Sequence, residues 1–176
     1  MNHDSYSDTY IKGILDDVKT VAMIGASANS VRPSYFVLKY LLSKGYDVWP
    51  INPGQAGKEI LGQKVYSSLE ELPATPDMID IFRNSEAAGQ VIDQVIASGD
   101  LPKVIWLQLS VHHDEAAERA EQAGIKMVMN RCPKIEYGRL SGEIGWAGVN
   151  SKTISSKRPT LKSGFQHRGL SGKNDT

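Results

Sequence analysis

The stretch TVAMIGASANSVRPS, residues 20–34, combines residue types that could hold a phosphate group. An apolar run ends at Gly25, and Ala26, Ser27 and Arg32 follow before a new apolar pattern begins. A strand that ends in glycine and leads into a helix presents backbone N–H groups and the positive end of the helix dipole. We therefore expect this turn to bind a phosphate-bearing molecule, with Arg32 as a countercharge.

The same turn does not match the usual dinucleotide fingerprint. That fingerprint has three glycines in G-x-G-x-x-G and an acidic residue about 20 positions later, which binds the ribose. Here Gly25 stands alone, Ser27 and Ser30 occupy positions where further glycines could be, and the second apolar segment ends in Asn52 and Pro53 without an acid. The missing residues argue against an NAD(P)-binding oxidoreductase, which stays as the less favoured alternative.

The elements that must position this turn alternate between strands and helices. Apolar segments without polar alternation, typical of strands covered on both faces, lie at 21–24, 46–51, 78–82, 104–109 and 126–129. Helical periodicity follows the first, third and fourth segments and also precedes the first, at 10–18. The pattern predicts an α/β fold, a Rossmann-like three-layer sandwich around a five-stranded parallel sheet in the order 3-2-1-4-5.

Composition divides the chain into three parts. We expect an N-terminal helical segment at 1–19, the main domain at 20–140 and a polar basic tail at 141–176. The formal net charge of zero gives no case for binding to nucleic acid or to a membrane surface. The single cysteine and the polar N-terminus indicate a cytoplasmic protein without an internal disulfide.

Side chains that could bind a ligand follow the other strands at the point where each one ends. They are Asn52 and Pro53, Phe82 and Arg83, Gln108, and Asn130 and Cys132, with Lys58 on the loop after the second strand. Because the carboxyl ends of parallel strands meet at one edge of the sheet, we expect these residues to converge. Structural alternatives stay open: the Asn-Pro pair favours a turn, Phe82 could belong to the core, and Arg32 and Lys58 could be solvated.

An ordered series of motifs runs from about Thr20 to Pro133. It consists of IGAS at 24–27, RPSY at 32–35, GYDV at 45–48, PINP at 50–53, DIFR at 80–83, WLQ at 106–108 and MNRCP at 129–133. As a set, these motifs resemble those of the stand-alone bacterial CoA-binding proteins. That family is in turn similar to the CoA-binding domain of the succinyl-CoA synthetase α subunit.

The resemblance implies coenzyme A or an acyl-CoA as the ligand. It places the phosphates against Gly25, Ala26 and Ser27, with countercharge from Arg32 and Lys58. It places the adenosine part beside Asn52 and Pro53, with Phe82 and Arg83 as the neighbouring wall. The pantetheine arm would then run past Gln108, Asn130 and Cys132.

Candidates for catalysis are few. Cys132 follows Arg131, and its thiol could be partly ionised or could be an inert buried group. His112 and His113 are adjacent and therefore point in different directions, and no third ligand stands at a metal-binding spacing from them. The catalytic phosphohistidine of the related synthetases belongs to another domain, so their ligase activity does not carry over.

These observations favour a non-catalytic module that binds CoA or an acyl-CoA and acts as a sensor, a carrier or an accessory subunit. The alternative is an enzyme that carries out thioester chemistry at Cys132. The partner is then a small molecule, without nucleic acid, membrane or metal. Exposed faces of the predicted helix at 10–18 could support a homodimer, and a partner enzyme is the other option.

Overall fold

The fold is defined by a computed structural model that describes residues 3–143. Its elements are α1 (Asp8–Asp17), β1 (Thr20–Ile24), α2 (Pro33–Ser43), β2 (Asp47–Ile51), β3 (Glu59–Ile60), β4 (Gln63–Lys64), β5 (Met78–Ile81), α3 (Ser85–Ser98), β6 (Val104–Leu107), α4 (Asp114–Gln122), β7 (Lys126–Val128) and α5 (Pro133–Leu140). The predicted basic tail lies outside the described residues beyond position 143. Among the described helices, none has the length and apolar character needed to cross a membrane.

The central element is a five-stranded parallel sheet in the order β2-β1-β5-β6-β7. The helices α1, α2 and α5 pack on one face of the sheet, and α3 and α4 pack on the other. The strands β3 and β4 form a separate small hairpin. The predicted α/β, Rossmann-like three-layer sandwich is confirmed.

The order of the strands needs correction. Numbered along the chain, the five sheet strands lie in the order 2-1-3-4-5 and not in the predicted order 3-2-1-4-5. β2 contains Pro50, which has no N–H to donate and therefore suits an edge strand. β5, by contrast, is buried at all four residues, which suits a strand with a neighbour on each side. Within residues 3–143, the outer side of β2 pairs with no further strand of the main sheet and makes one isolated bridge, between Ile51 and Tyr66.

Local sequence features explain the ends of α3 and the packing of α4. Asn84 caps α3, because its Oδ1 accepts the Ala87 N–H at 2.9 Å, and Gly99 ends the helix in the left-handed conformation at φ 79°. In α4 the small side chains of Ala116, Ala117 and Ala120 are fully buried against the sheet layer. This close packing agrees with the alanine stripe in the sequence.

Candidate functional site

The turn after β1 has the backbone that the sequence predicted. Gly25 adopts φ 85°, a left-handed conformation that favours glycine, and its N–H donates to the Ile51 carbonyl at 3.0 Å. Asn52 fixes the turn from the neighbouring strand: its Nδ2 donates to the Ala26 carbonyl at 2.7 Å, and its Oδ1 accepts the Gly54 N–H at 2.9 Å. Asn52 therefore holds two loops at the carboxyl edge of the sheet together.

A cleft of about 1240 Å³, here called the main cleft, opens at this edge between the starts of α2 and α5. Of the twelve site residues predicted from the sequence, those that line it are Gly25, Ala26, Ser27, Arg32, Asn52, Phe82, Arg83, Gln108 and Cys132. They come from the turns and loops that follow all five strands of the main sheet. This volume exceeds the range typical of drug-sized ligands, so the cleft has room for a larger molecule.

Three predicted site residues lie elsewhere. Lys58 is exposed on the loop before β3 and lines neither the main cleft nor the second cleft described below. Asn130 is not part of the lining; its Oδ1 accepts the Ser110 N–H at 2.8 Å and so joins the loops after β6 and β7. Pro53 begins a 3-10 turn and lines the second cleft.

Two helices begin at the main cleft without a side-chain cap. Arg32 precedes α2 and Cys132 precedes α5, and neither forms a side-chain cap hydrogen bond, although the Lys134 and Ile135 N–H groups act on the Cys132 thiol and lower its pKa against the effect of burial. Side chains do cap α1, α3 and α4, through Ser7, Asn84 and His113. Uncapped first-turn N–H groups and a positive dipole end are the usual features of an anion site.

Positive side chains surround these two helix starts. Arg32 and Arg83 are exposed in the main cleft, and within residues 3–143 neither makes an ion pair. Lys134, in the first turn of α5, was missed at the sequence level; its Nζ lies over the rings of Phe36 and Tyr40, at 5.9 and 5.8 Å from their centroids. The signal was available, because Pro133 is typical of a first helical position and puts Lys134 at a helix start.

The floor of the main cleft holds polar groups of low exposure. Cys132 is 7% exposed, and burial raises the pKa of its thiol to about 11. Gln108 donates from Nε2 to Oδ1 of Asp80 at 2.7 Å, and Asp80 has no exposed surface. Burial raises the pKa of Asp80 to about 7, opposed by the hydrogen bond from Gln108. Trp106 is fully buried and donates from Nε1 to the Arg131 carbonyl at 2.8 Å.

A second cleft of about 510 Å³ lies on the α3 side of the sheet. Its walls are mostly apolar and include Ile51, Leu69, Ile79 and Val91. Arg83 lines both clefts, so the two openings meet at the end of β5. The chain between β2 and β5 forms the β3–β4 hairpin and two short 3-10 turns, and no full helix covers the sheet on this side of β2.

The sheet, the glycine turn and the cleft at the strand ends define a Rossmann-like α/β protein. A family model described as a CoA binding domain matches residues 19–138. The chain belongs to this CoA-binding family, as the motif series implied.

Relatives of the chain include both stand-alone proteins and parts of larger ones. The uncharacterised protein YneT of Bacillus subtilis is 33% identical over 131 residues, which cover 74% of this chain and 94% of YneT. The α subunit of an ADP-forming acetate–CoA ligase of Pyrococcus furiosus is 36% identical over 80 residues, which cover 43% of this chain but only 17% of that subunit.

Solved structures agree with the fold. A hypothetical protein from Pyrococcus horikoshii OT3 has a TM-score of 0.72 at 36% identity, over 80% of this chain and 96% of its own. A protein from Thermus thermophilus, cell-free ID.343, has a TM-score of 0.71 at 34% identity, over 77% of this chain and 99% of its own. Both proteins therefore share this architecture over nearly their whole length.

Proposed function

We propose that the chain binds coenzyme A or an acyl-CoA in the main cleft and does not itself catalyse a reaction. In this role it serves as a sensor, a carrier or an accessory subunit. The observation that carries the proposal is the pair of uncapped helix starts, α2 and α5, which face one cleft together with Arg32, Arg83 and Lys134. Such a site suits a ligand with several phosphate charges.

The ligand is proposed to lie along the ends of the strands. Its pyrophosphate contacts the turn at 25–27 and the start of α2, where Arg32 provides countercharge. The adenosine part extends past Asn52 and Arg83 toward Pro53, at the junction with the second cleft. The pantetheine arm runs the other way, over Gln108 and Cys132.

The state of Cys132 supports a binding role over thioester chemistry. The thiolate is the nucleophilic form of cysteine, and a thiol with a pKa of about 11 is almost entirely protonated near neutral pH. In the described residues His113 is engaged as the cap of α4, with Nδ1 accepting the Ala116 N–H at 3.4 Å. These groups are poorly suited to attack an acyl-CoA.

Titration calorimetry tests the proposal directly. Wild-type protein is expected to bind CoA, and Arg32→Met or Lys134→Met is expected to weaken binding about ten-fold each, as the loss of a charged contact does. Lys39→Met is the matched control, because Lys39 is exposed on α2 and does not line the main cleft. Absence of CoA binding together with micromolar binding of NAD(H) would overturn the proposal.

Three further ligands extend the test. Dephospho-CoA is expected to bind more weakly than CoA if Arg32 or Lys58 contacts the 3′-phosphate, and equal affinity would remove that role from both residues. Acetyl-CoA and succinyl-CoA are expected to remain intact during incubation with the protein. Release of free thiol at a rate above the protein-free control would instead establish the enzyme alternative.

A further inference from the structure

A buried carboxyl group stands behind the floor of the main cleft. Asp80 is the third residue of β5 and is 0% exposed. It pairs in register with Met23 of β1 and Trp106 of β6, so its side chain lies on the face of the sheet that packs against α1, α2 and α5. Cys132 belongs to the same layer. The proposed binding of CoA gives Asp80 no direct contact with the ligand.

Within residues 3–143, only one of the two carboxyl oxygens of Asp80 has a hydrogen-bond partner. Its Oδ1 accepts the bond from Gln108, and among residues 3–143 its Oδ2 has no hydrogen-bond partner. An unpaired buried polar atom is costly, whereas an apolar group of the same shape can be neutral or stabilising at such a position. A contribution to stability therefore does not explain why a carboxyl group stands at this buried position.

The hydrogen bond between Gln108 and Asp80 sets the orientation of the Gln108 amide. Gln108 is 8% exposed and lines the main cleft. The Gln108 amide turns its nitrogen toward Asp80, because Nε2 donates to Oδ1 at 2.7 Å. Its Oε1 and its second Nε2 hydrogen are then left for other partners, and no donor from residues 3–143 reaches Oε1.

We propose that Asp80 is a positioning residue, which holds the Gln108 carboxamide with its oxygen toward the main cleft so that the floor recognises a ligand segment bearing an amide N–H. The secondary amides of a pantetheine arm supply such donors. A carboxamide fixed in advance loses less rotational freedom on binding than a free one. This inference rests on the proposed binding of CoA and adds which part of the ligand the floor selects.

The test compares CoA with adenosine 3′,5′-bisphosphate, which has no pantetheine arm. Asp80→Leu keeps the shape of the side chain and removes the acceptor, so the Gln108 amide is free to rotate. We expect this variant to bind CoA about five- to ten-fold more weakly, the equivalent of one hydrogen bond, and to bind the bisphosphate as tightly as wild type. Its melting temperature is expected to equal or exceed that of the wild type.

A double-mutant cycle with Gln108→Leu tests whether Asp80 affects CoA affinity through Gln108. If Asp80 acts through Gln108, Asp80→Leu in the Gln108→Leu background causes no further loss of CoA affinity. If Asp80→Leu fails to fold, Asp80→Asn replaces it, because an amide can either donate to or accept from Gln108 and so no longer fixes its orientation. This variant is expected to lose two- to five-fold in CoA affinity alone.

The outcomes separate this inference from the proposed function. Unchanged CoA affinity in the Asp80 variants, or an equal loss for CoA and the bisphosphate, overturns the positioning role while CoA binding by the wild type stands. A full additional loss in the Gln108→Leu background also overturns it. Failure of the wild type to bind CoA overturns the proposed function, and the positioning role falls with it.

Discussion

Gly25 and Phe82 lie so close together that no side chain fits between them. A Cβ atom built on Gly25 would stand 2.5 Å from the Phe82 carbonyl oxygen, a distance that requires the backbone to move. The Phe82 N–H also donates to the Ile24 carbonyl at 2.8 Å, which ties the end of β5 to the end of β1. The glycine therefore permits both the turn and the narrow approach of the two strand ends that form the cleft.

Replacing Gly25 by alanine is expected to destabilise the fold and the site together. The new Cβ combines a backbone clash with a residue at φ 85°, a conformation that costs about 1–3 kcal/mol for a non-glycine residue. Urea denaturation is expected to show a loss of about 2–3 kcal/mol in the free energy of unfolding, with weaker CoA binding.

The control is Gly13→Ala inside α1, where nothing lies within 4 Å of the new Cβ. It is expected to gain about 0.5–1 kcal/mol, and equal behaviour of the two variants would contradict the assignment.

The sequence predicted those parts of the site that follow from local backbone rules. Strand ends in a parallel sheet share one edge, so the polar residues after each strand could be placed together without knowing the packing. Gly25, Ser27 and Arg83 were found in this way, and the structure brings them to the main cleft. A helix after the first strand was predicted, and α2 begins there at Pro33. No helix was predicted after the fifth strand, although Pro133 is typical of the first position of a helix such as α5.

The rest depends on long-range packing that no local pattern encodes. Lys134 reaches the cleft because α5 packs beside α2, and the second cleft depends on a segment that forms no full helix. Asn130 has the residue type of a ligand group, but its oxygen is used to fix the Ser110 backbone at φ 68°. The predicted strand order was wrong at β2: it puts this strand between two neighbours, but Pro50 lacks the N–H that an interior strand donates, and β2 lies at the edge.

Asp80 is expected to make the stability of the protein depend on pH. Its pKa is about 7 in the folded protein, against an ordinary value of 3.8. Between these two pH values the folded state keeps a proton that the unfolded state has lost. The contribution of Asp80 to the free energy of unfolding is therefore highest at low pH and falls as pH rises toward 7. Relative to Asp80→Asn, the free energy of unfolding of the wild type is therefore expected to fall by roughly 2 kcal/mol between pH 5 and pH 8.

Urea unfolding of both proteins at these two pH values checks the sign. The free-energy gap between Asp80→Asn and the wild type is expected to widen in favour of the variant at pH 8. Asp47→Asn is the matched control, because it makes the same substitution at the exposed start of β2. A gap for Asp80→Asn that stays constant or narrows would contradict an uncompensated buried carboxyl.

The Cys132 thiol is expected to resist alkylation in the folded protein. Its pKa of about 11 leaves little thiolate at pH 8, and the side chain is buried. Iodoacetamide labelling followed by mass spectrometry is expected to run about a hundred-fold more slowly in native protein than in urea, where the thiol has its ordinary pKa. The chain has a single cysteine, so the unfolded protein is its own reference. Native labelling at the unfolded rate would favour a reactive thiol.

Arg139 is expected to stabilise the helix that carries one wall of the cleft. Its Nε and Nη2 donate to Glu136 Oε2 at 3.1 and 2.7 Å, and its Nη1 donates to Asp8 Oδ1 at 2.7 Å. Glu136 is only 2% exposed, and its other cation, Arg131, is 3.8 Å away. Arg139 therefore neutralises a buried carboxylate on α5 and joins that helix to the start of α1.

Arg139→Met is expected to lower the free energy of unfolding by about 3 kcal/mol, because it leaves the Glu136 charge buried without its main partner. Arg119→Met is the matched control: Arg119 makes a two-bond pair with Asp93, at 2.9 and 3.0 Å, but both side chains are about half exposed. Such a surface pair contributes about 0.5 kcal/mol, which urea denaturation separates from the larger effect. Equal losses in the two variants would show that Glu136 does not depend on Arg139. A loss confined to Arg139→Met, together with weaker CoA binding, would link this ion pair to the placement of Cys132 and Lys134 at the start of α5.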